Sequence, residues 1–405
     1  MFVGADVKYM AAFRGALIRA TQAAGYDVLI LATPVPGFQP EGELPQGARF
    51  LPWNLRKAGL NPLADVSALR TLWGLLRDRQ CKLVFAHTIK PVIYAMVLAW
   101  FARVPRRAAL IPGLGYAFTE GRSVKRRVTA LLGRLAYTAA FRCAHVVLFQ
   151  NPDDQAEMLS LGVLDCESRG AIVNGSGVDM EAFPLTDLPE GPPTFLMVAR
   201  LIRDKGVYEF IEAARRVRQV VPAARFVLVG APDENPAAIL ASEIQSWVSE
   251  GIVEAPGHLP DPRPAYAACH VFVLPSYYRE GTPRTNLEAM ATGRPIITTD
   301  SPGCRETVID GHNGILIPPR DAGALADAMI ALARSPELIR TMGQAGRRLC
   351  HERFELWSVT SSTLLHVTGA ETRNCDLSIA YPLLTPAKPV PETANEVAGR
   401  GPHDA

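Results

Sequence analysis

Thr194-Phe-Leu-Met-Val-Ala-Arg-Leu-Ile-Arg-Asp-Lys-Gly206 settles the fold class. Thr194–Val198 reads as a buried strand and Gly206–Val220 as the helix that follows it. The same alternation has already filled the first 150 residues. Upstream, Tyr26–Leu31, Lys82–Phe85, Ala108–Ile111 and Val146–Phe149 read as strands. Helical patterns over Ala11–Ala24, Ala64–Arg79, Val92–Ala102 and Val124–Arg142 separate them. Downstream, Phe226–Val229, Val271–Leu274 and Ile296–Thr298 are further strands, and Leu325, Met329 and Leu332 mark one face of a later helix. Unbroken apolar strands alternating with helices predict parallel sheets covered on both faces. The proline- and glycine-dense stretch 184–193 reads as a hinge. The expectation is an α/β protein of two doubly wound, Rossmann-like domains, 1–185 and 186–350, facing a deep cleft at the carboxyl ends of their strands. A helix over 351–367 is expected to pack back toward the first domain. The tail, 368–405, has five prolines and no periodicity, and is expected to be disordered. Only Met1-Phe-Val precede Gly4, short for a first strand, so either that edge is clipped or the start lies upstream.

Composition narrows the function classes. The 405 residues are 48% apolar and 20% charged, too apolar for a disordered chain and too many for one ordinary domain. The 7 cysteines are odd in number and never form a C-x-x-C pair, which argues against a disulfide scaffold or zinc site and for a reducing compartment. Lys8, Arg14 and Arg19 interrupt any secretory signal. The apolar run Val92–Ala102 falls short of the roughly 20 residues a membrane span needs. Charge is uneven: residues 1–150 hold 20 Lys and Arg against 7 Asp and Glu, a net +13 within a chain of +2. Such a skew suits nucleic acid, an anionic bilayer or a pyrophosphate-bearing partner. Nucleic acid is the least attractive, because no cluster of aromatics interleaves the cations and no docking motif appears.

Two segments carry chemistry. In Pro275-Ser-Tyr-Tyr-Arg-Glu-Gly-Thr-Pro-Arg-Thr-Asn-Leu-Glu288 a strand gives way to a loop and then a helix. Glu280 in the loop can grip polyol hydroxyls, and the helix start can take phosphate oxygens. The plainer alternative has Glu280 capping the helix and Glu288 exposed on it. In the segment 194–206, Arg200 follows a strand and Lys205 opens a helix, a pair of cations suited to a diphosphate.

Together these segments resemble the nucleotide-sugar half of glycosyltransferase family 4, which has the GT-B fold. Val173-Asn-Gly-Ser-Gly-Val-Asp179, Pro302-Gly-Cys-Arg-Glu306 and Asn313-Gly314 extend the likeness. The resemblance covers residues 1–365 and implies an acceptor-binding first domain and a nucleotide-sugar-binding second one. It implies that Arg200 and Lys205 hold the diphosphate. Glu280 would bind the donor sugar, with Gly281, Thr282 and Pro283 lining its pocket. Leu287 falls within the same motif, and Glu288 would bind the ribose. The base would lie near Gly230 and the turn containing His258 and Leu259.

The first half resembles a narrower group, the polyprenyl-linked glycan transferases of bacterial O-antigen, capsule and exopolysaccharide assembly. Phe85-Ala-His-Thr-Ile-Lys-Pro91, Gly113-Leu-Gly-Tyr-Ala-Phe118 and Phe149-Gln-Asn-Pro-Asp-Asp154 carry that likeness. Gly4, His87, Lys90, Gly113, Gly115, Tyr116, Lys125, Arg126, Arg127 and Arg134 are the acceptor or lipid candidates. Many relatives place a histidine after the strand that here ends at Ile111. This chain has Pro112-Gly113 there. His87 is the candidate substitute, against the reading of a satisfied loop histidine.

The implied reaction is metal-independent transfer from a UDP-sugar, with retention at the anomeric carbon, and needs no other cofactor. Arg200 and Lys205 would neutralise the leaving group while Glu280 and His87 act at the sugar. The acceptor would be a lipid-linked saccharide at the inner face of the plasma membrane. Ser123–Arg142 reads as an amphipathic helix, with Val124, Val128, Leu131, Leu135 and Ala139 on one face. It either lies on an anionic membrane or packs on the first sheet. Gly113-Leu-Gly115 lacks the third glycine of a dinucleotide fingerprint. Asp153-Asp154 reads as favourable charge at a helix start. A sugar-nucleotide epimerase and a non-catalytic nucleotide- or lipid-binding subunit are the alternatives.

Overall fold

The computed structural model describes residues 1–55, 65–78, 81–114, 124–231 and 237–369, with backbone alone over 124–130. Two parallel sheets organise it. The front sheet contains β1 (Phe2–Asp6), β2 (Leu29–Thr33), β3 (Arg49–Pro52), β4 (Leu83–His87), β5 (Arg106–Ile111), β6 (Val146–Phe149) and β7 (Gly170–Ile172), in the order 3-2-1-4-5-6-7. The rear sheet contains β8 (Thr194–Val198), β9 (Arg225–Val229), β10 (Glu254–Gly257), β11 (Val271–Leu274), β12 (Ile296–Thr299) and β13 (Gly314–Ile317), in the order 10-9-8-11-12-13. In each lobe the chain winds outward for three strands and then returns beside its first. The strand order therefore reverses between β1 and β4 and between β8 and β11, the positions where open α/β sheets take ligands.

Burial explains the unbroken apolar runs. Every residue of β4, β11 and β12 is buried, because helices cover both faces. The front sheet has a core on each side, one around Trp53, Met96 and Phe149 and one around Phe2, Ile18 and Phe85. In the rear lobe Phe195 stacks on Phe226 at 5.5 Å, across the β8–β9 register that pairs them.

Some expectations change. Gly4 does not end the first strand: β1 runs through it to Asp6 and lies inside the sheet, between β2 and β4. The stretch 184–193 is irregular, but its start is fastened to the rear lobe. The buried Arg294 guanidinium donates to the carbonyls of Thr186 at 3.0 Å and Asp187 at 2.8 Å. The helix expected over 351–367 is two helices, Pro336–Phe354 and Leu356–Thr368, broken at Glu355, whose carboxylate caps the second through the Ser358 N–H at 2.8 Å. The second helix returns to the front lobe, where Leu364 and Val367 are buried. The chain crosses between lobes near Val178 and again near Leu356, and the two crossings hydrogen-bond each other at 3.0 Å. Gly177 (φ +70) permits that approach, since a Cβ there would sit 2.7 Å from Leu356 Cα. Beyond Gly369 the expected tail lies outside the described residues. Among the described residues no helix is long and apolar enough to cross a membrane.

Candidate functional site

Two loops form the rear site, one after β8 and one after β11, at the reversal of strand order. They are pressed together: a Cβ on Gly206 (φ +80) would collide with the Pro275 carbonyl. Lys205 ends a short 3-10 turn, Arg203–Lys205, and its ammonium pairs with Glu280. The Ser276 hydroxyl also donates to Glu280, at 3.0 Å. Arg200 and Lys205 flank the Tyr278 ring, at 5.6 and 5.7 Å from its centroid. The loop is braced by the Tyr277 and Tyr278 N–H groups, which both donate to the Asp204 carbonyl at 2.9 Å. Three residues separated by up to 80 positions thus meet around one aromatic ring.

Both plainer alternatives for the glutamates fail. The helix Arg284–Ala291 starts at Pro283 and has no side-chain cap, so Glu280 does not cap it. Glu288 is buried, not exposed. It accepts from the Tyr266 hydroxyl at 2.9 Å and from Arg284 Nε at 3.0 Å, and burial pushes its carboxyl above the usual range. Leu287 packs into the rear core. Gly230 (φ +157) follows β9 so closely that a Cβ would collide with the Ala199 carbonyl. Its N–H donates to the Gly257 carbonyl at 3.0 Å, next to the exposed His258 and half-buried Leu259. Among the described residues no group of three His, Cys, Asp or Glu could hold a metal.

The front lobe grips the Glu280 loop. Gly113 (φ +130) lies against it, and a Cβ there would be 2.7 Å from the Arg279 carbonyl oxygen and 2.8 Å from Gly281 N. Asn151 Nδ2 donates to the Glu280 and Gly281 carbonyls at 3.1 and 3.2 Å. Thr282 Oγ1 donates to the Gln150 carbonyl at 3.0 Å. The Asp153-Asp154 doublet does more than favour a helix start. Asn151 is the cap, while Asp154 pairs with Arg279 at 2.8 Å and Asp153 with Arg305 at 3.1 Å, both across the cleft. Sequence reading missed Asn151, Arg279 and Arg305 as site residues. Nothing in local spacing links positions 125 to 152 residues apart.

The front-lobe candidates are dispersed. His87 ends β4 and is fully buried, so it is no loop histidine. Its Nε2 meets Met10 Sδ at 2.6 Å, its ring lies 5.2 Å from Tyr9, and its Nδ1 has no hydrogen-bond partner among the described residues. Burial, then the charge of Arg14, push its pKa well below the histidine norm. Gly4 is pressed against His87 and Met10. Lys90 is turned inward, where it pairs with Asp65 at 2.8 Å. Gly115 and Tyr116 lie outside the described residues, as do the side chains of Lys125, Arg126 and Arg127. Arg134 is exposed on the helix Val124–Cys143. On that helix Tyr137, Ala140 and Phe141 face the core, whereas Leu131, Leu132 and Leu135 are more than half exposed. Of the apolar face read from sequence, Leu131, Leu135 and Ala139 are therefore exposed instead of packing on the sheet.

Comparison with known proteins agrees with this architecture. Residues 192–335 match the model of the group 1 glycosyl transferases, and residues 10–167 that of the glycosyl transferase 4-like domain. N,N'-diacetylbacillosaminyl-diphospho-undecaprenol alpha-1,3-N-acetylgalactosaminyltransferase of Campylobacter jejuni is 27% identical over 344 residues, 80% of this chain and 87% of its own. The capsular polysaccharide biosynthesis glycosyltransferase CapM of Staphylococcus aureus is 29% identical over 307 residues, 72% of this chain and 77% of its own. Among solved structures, a sucrose-phosphate synthase from Thermosynechococcus elongatus superposes with a TM-score of 0.73 at 21% identity, covering 89% of this chain and 96% of its own. Anabaena HepE in complex with UDP and glucose gives 0.70 at 18% identity, covering 91% and 99%. With both lobes matched and in the same order, the chain belongs to the family 4-like, group 1 glycosyltransferases of the GT-B fold.

Proposed function

We propose that this glycosyltransferase of bacterial polysaccharide biosynthesis moves a hexose or N-acetylhexosamine from a UDP-sugar to a sugar carried on polyprenyl diphosphate, with retention and without a metal. The observation that carries this is the gathering of Arg200, Lys205 and Glu280 around Tyr278 at the rear switch point. The names of the relatives supply the substrate classes: a diphospho-undecaprenol acceptor and an α-linked N-acetylgalactosamine in the Campylobacter enzyme, and UDP in HepE.

Transfer breaks the bond between the anomeric carbon and the diphosphate, which leaves negative charge on the diphosphate and positive charge on the sugar. Fixed cations stabilise the first, and one such contact is worth roughly 3 kcal/mol. Donor entry separates the Lys205–Glu280 pair: the ammonium turns to the diphosphate and the carboxylate to the sugar hydroxyls. Until then each holds the other in place. We assign no protein nucleophile. The acceptor hydroxyl attacks on the face the diphosphate is leaving, forms the new carbon–oxygen bond, and gives its proton to a phosphate oxygen. Asn151, donating to the Glu280 and Gly281 carbonyls, fixes the loop that presents Glu280. Exclusion of water between the lobes limits hydrolysis.

The exposed leucines of the helix Val124–Cys143, beside Arg134 in a +13 front half, favour peripheral docking on the anionic inner face of the membrane. Turnover of UDP-sugars with a synthetic polyprenyl-diphosphate sugar tests the proposal. Lys205→Ala and Glu280→Gln are expected to remove transfer without unfolding the chain, and the product anomer is read by NMR. Full activity of both variants would contradict it. Conversion of UDP-sugar without acceptor would mark an epimerase instead.

A further inference from the structure

The front sheet has its own reversal of strand order, between β1 and β4. An orphaned cation lies there. Arg14, on the helix Val7–Ala23 that follows β1, is 3% exposed. Its Nε and Nη2 are buried and have no hydrogen-bond partner among the described residues. These two nitrogens form one edge of the guanidinium fork, the edge that takes two oxygens of a phosphate side by side. A guanidinium does not shed its proton, so burial leaves the charge in place. The groups acting on it supply no carboxylate: the Tyr9 hydroxyl is a hydrogen-bonding neighbour of the guanidinium, and Arg284 adds a second positive charge. His87, at the carboxyl end of β4, contributes an unpartnered Nδ1 on a ring that Arg14 helps keep neutral.

The cover over this place comes from the other lobe. Arg284, which begins a rear-lobe helix, donates to the Ala12 carbonyl at 2.6 Å and lies 5.1 Å from the Phe13 ring centroid. Arg284 belongs to the rear lobe, so separation of the lobes would carry it off this place.

We propose that Arg14 and His87 form an oxyanion seat at the front switch point, and that it holds the diphosphate of the acceptor's carrier. The assignment to the carrier rests on the lipid-diphosphate acceptor proposed above. The donor diphosphate has its own cations in the rear lobe, so the two anions are held on opposite walls of the cleft. Arg14 supplies both edge N–H groups, and the neutral imidazole places its single N–H at Nδ1 to donate to the same anion.

The seat is tested first with inorganic pyrophosphate and the full chain carrying Lys205→Ala, which removes a rear-lobe cation. Pyrophosphate is expected to raise the melting temperature, and added Arg14→Met to abolish the rise. Arg14→Lys keeps the charge but lacks the fork, and is expected to weaken the effect at least about tenfold in pyrophosphate concentration. An equal rise with and without Arg14 overturns the seat. The carrier assignment is tested by turnover. Arg14→Met is expected to raise KM for a polyprenyl-diphosphate sugar about tenfold or more, with KM for the nucleotide sugar unchanged. The same sugar on a neutral alkyl aglycone is expected to be used equally by both forms. Equal loss on both acceptors overturns the assignment. If the natural chain uses no diphosphate-linked acceptor, the proposed function fails, while the pyrophosphate titration still decides the seat.

Discussion

The two lobes repeat one plan, yet their switch points are charged in opposite ways. In the rear lobe Lys205 and Glu280 satisfy each other, with Ser276 and Tyr278 beside them. In the front lobe Arg14 is buried with one edge of its fork unmatched, beside a neutral His87. A matched pair is stable while empty and opens when a ligand offers both an anion and hydroxyls. An unmatched buried cation is costly while empty and is relieved by an anion alone. The difference fits a donor that brings diphosphate and sugar to one wall and an acceptor that brings its anion to the other.

The largest test of this contrast is at Lys205. Lys205→Ala is expected to lower kcat by about 10²–10³-fold, the loss typical of a donor to a developing oxyanion. It is expected to leave anion binding at Arg14 intact. A proportional loss at both places would make the lobes one site.

Second is the strap between them. Asp154 is fully buried and paired with Arg279 across the cleft. Asp154→Asn is expected to cost about 1.5 kcal/mol in urea unfolding, the loss of one charged hydrogen bond, because Arg279 keeps its second partner, Glu157, at 2.5 Å. Because the strap also sets the Glu280 loop, kcat should fall while KM for either substrate moves little. Unchanged stability would show that the lobes meet without needing this pair.

Third, the lobes should respond to pH with opposite signs. His87 has a folded pKa well below its ordinary 6.5, so the folded state binds fewer protons and stability is lost as pH falls below 6.5. Glu288 has a folded pKa above its ordinary 4.5, so its contribution is present at low pH and is lost as pH rises from 4.5 through the folded value. Melting curves between pH 4.5 and 6.5 should therefore lose part of their acid sensitivity in His87→Asn and gain acid sensitivity in Glu288→Gln. The same direction of change in both would contradict the assignment of charge states.

The smallest effect on the folded molecule is expected from Leu131→Ser with Leu135→Ser. Both side chains are exposed, so stability should change by less than about 0.5 kcal/mol each. Sedimentation with anionic phospholipid vesicles should fall several-fold. Undiminished binding would remove this helix from the membrane contact.

What the sequence revealed follows the same physics. Interior strands such as β4, β11 and β12 were legible because burial on both faces leaves unbroken apolar runs. The four strands it did not reveal, β3, β7, β10 and β13, are the four sheet edges. There burial is partial and residues such as Arg49 and Glu254 break the run. β1 was obscured because Gly4 reads as a stop, whereas it is the residue that leaves room for His87 and Met10. The rear site was legible because its members lie in two short contiguous runs. Asn151 and Arg14 were not, because their roles depend on groups far away in sequence and, for Arg14, on a partner that the described residues do not supply.

The rear-lobe cations are proposed to take the nucleotide's diphosphate. Calorimetric titration of UDP and of uridine into the natural chain and into Lys205→Ala tests it most directly. UDP binding is expected to weaken at least about tenfold in the variant, the loss of one charge-assisted contact, while uridine binds both forms equally. UDP affinity unchanged by the substitution would contradict it.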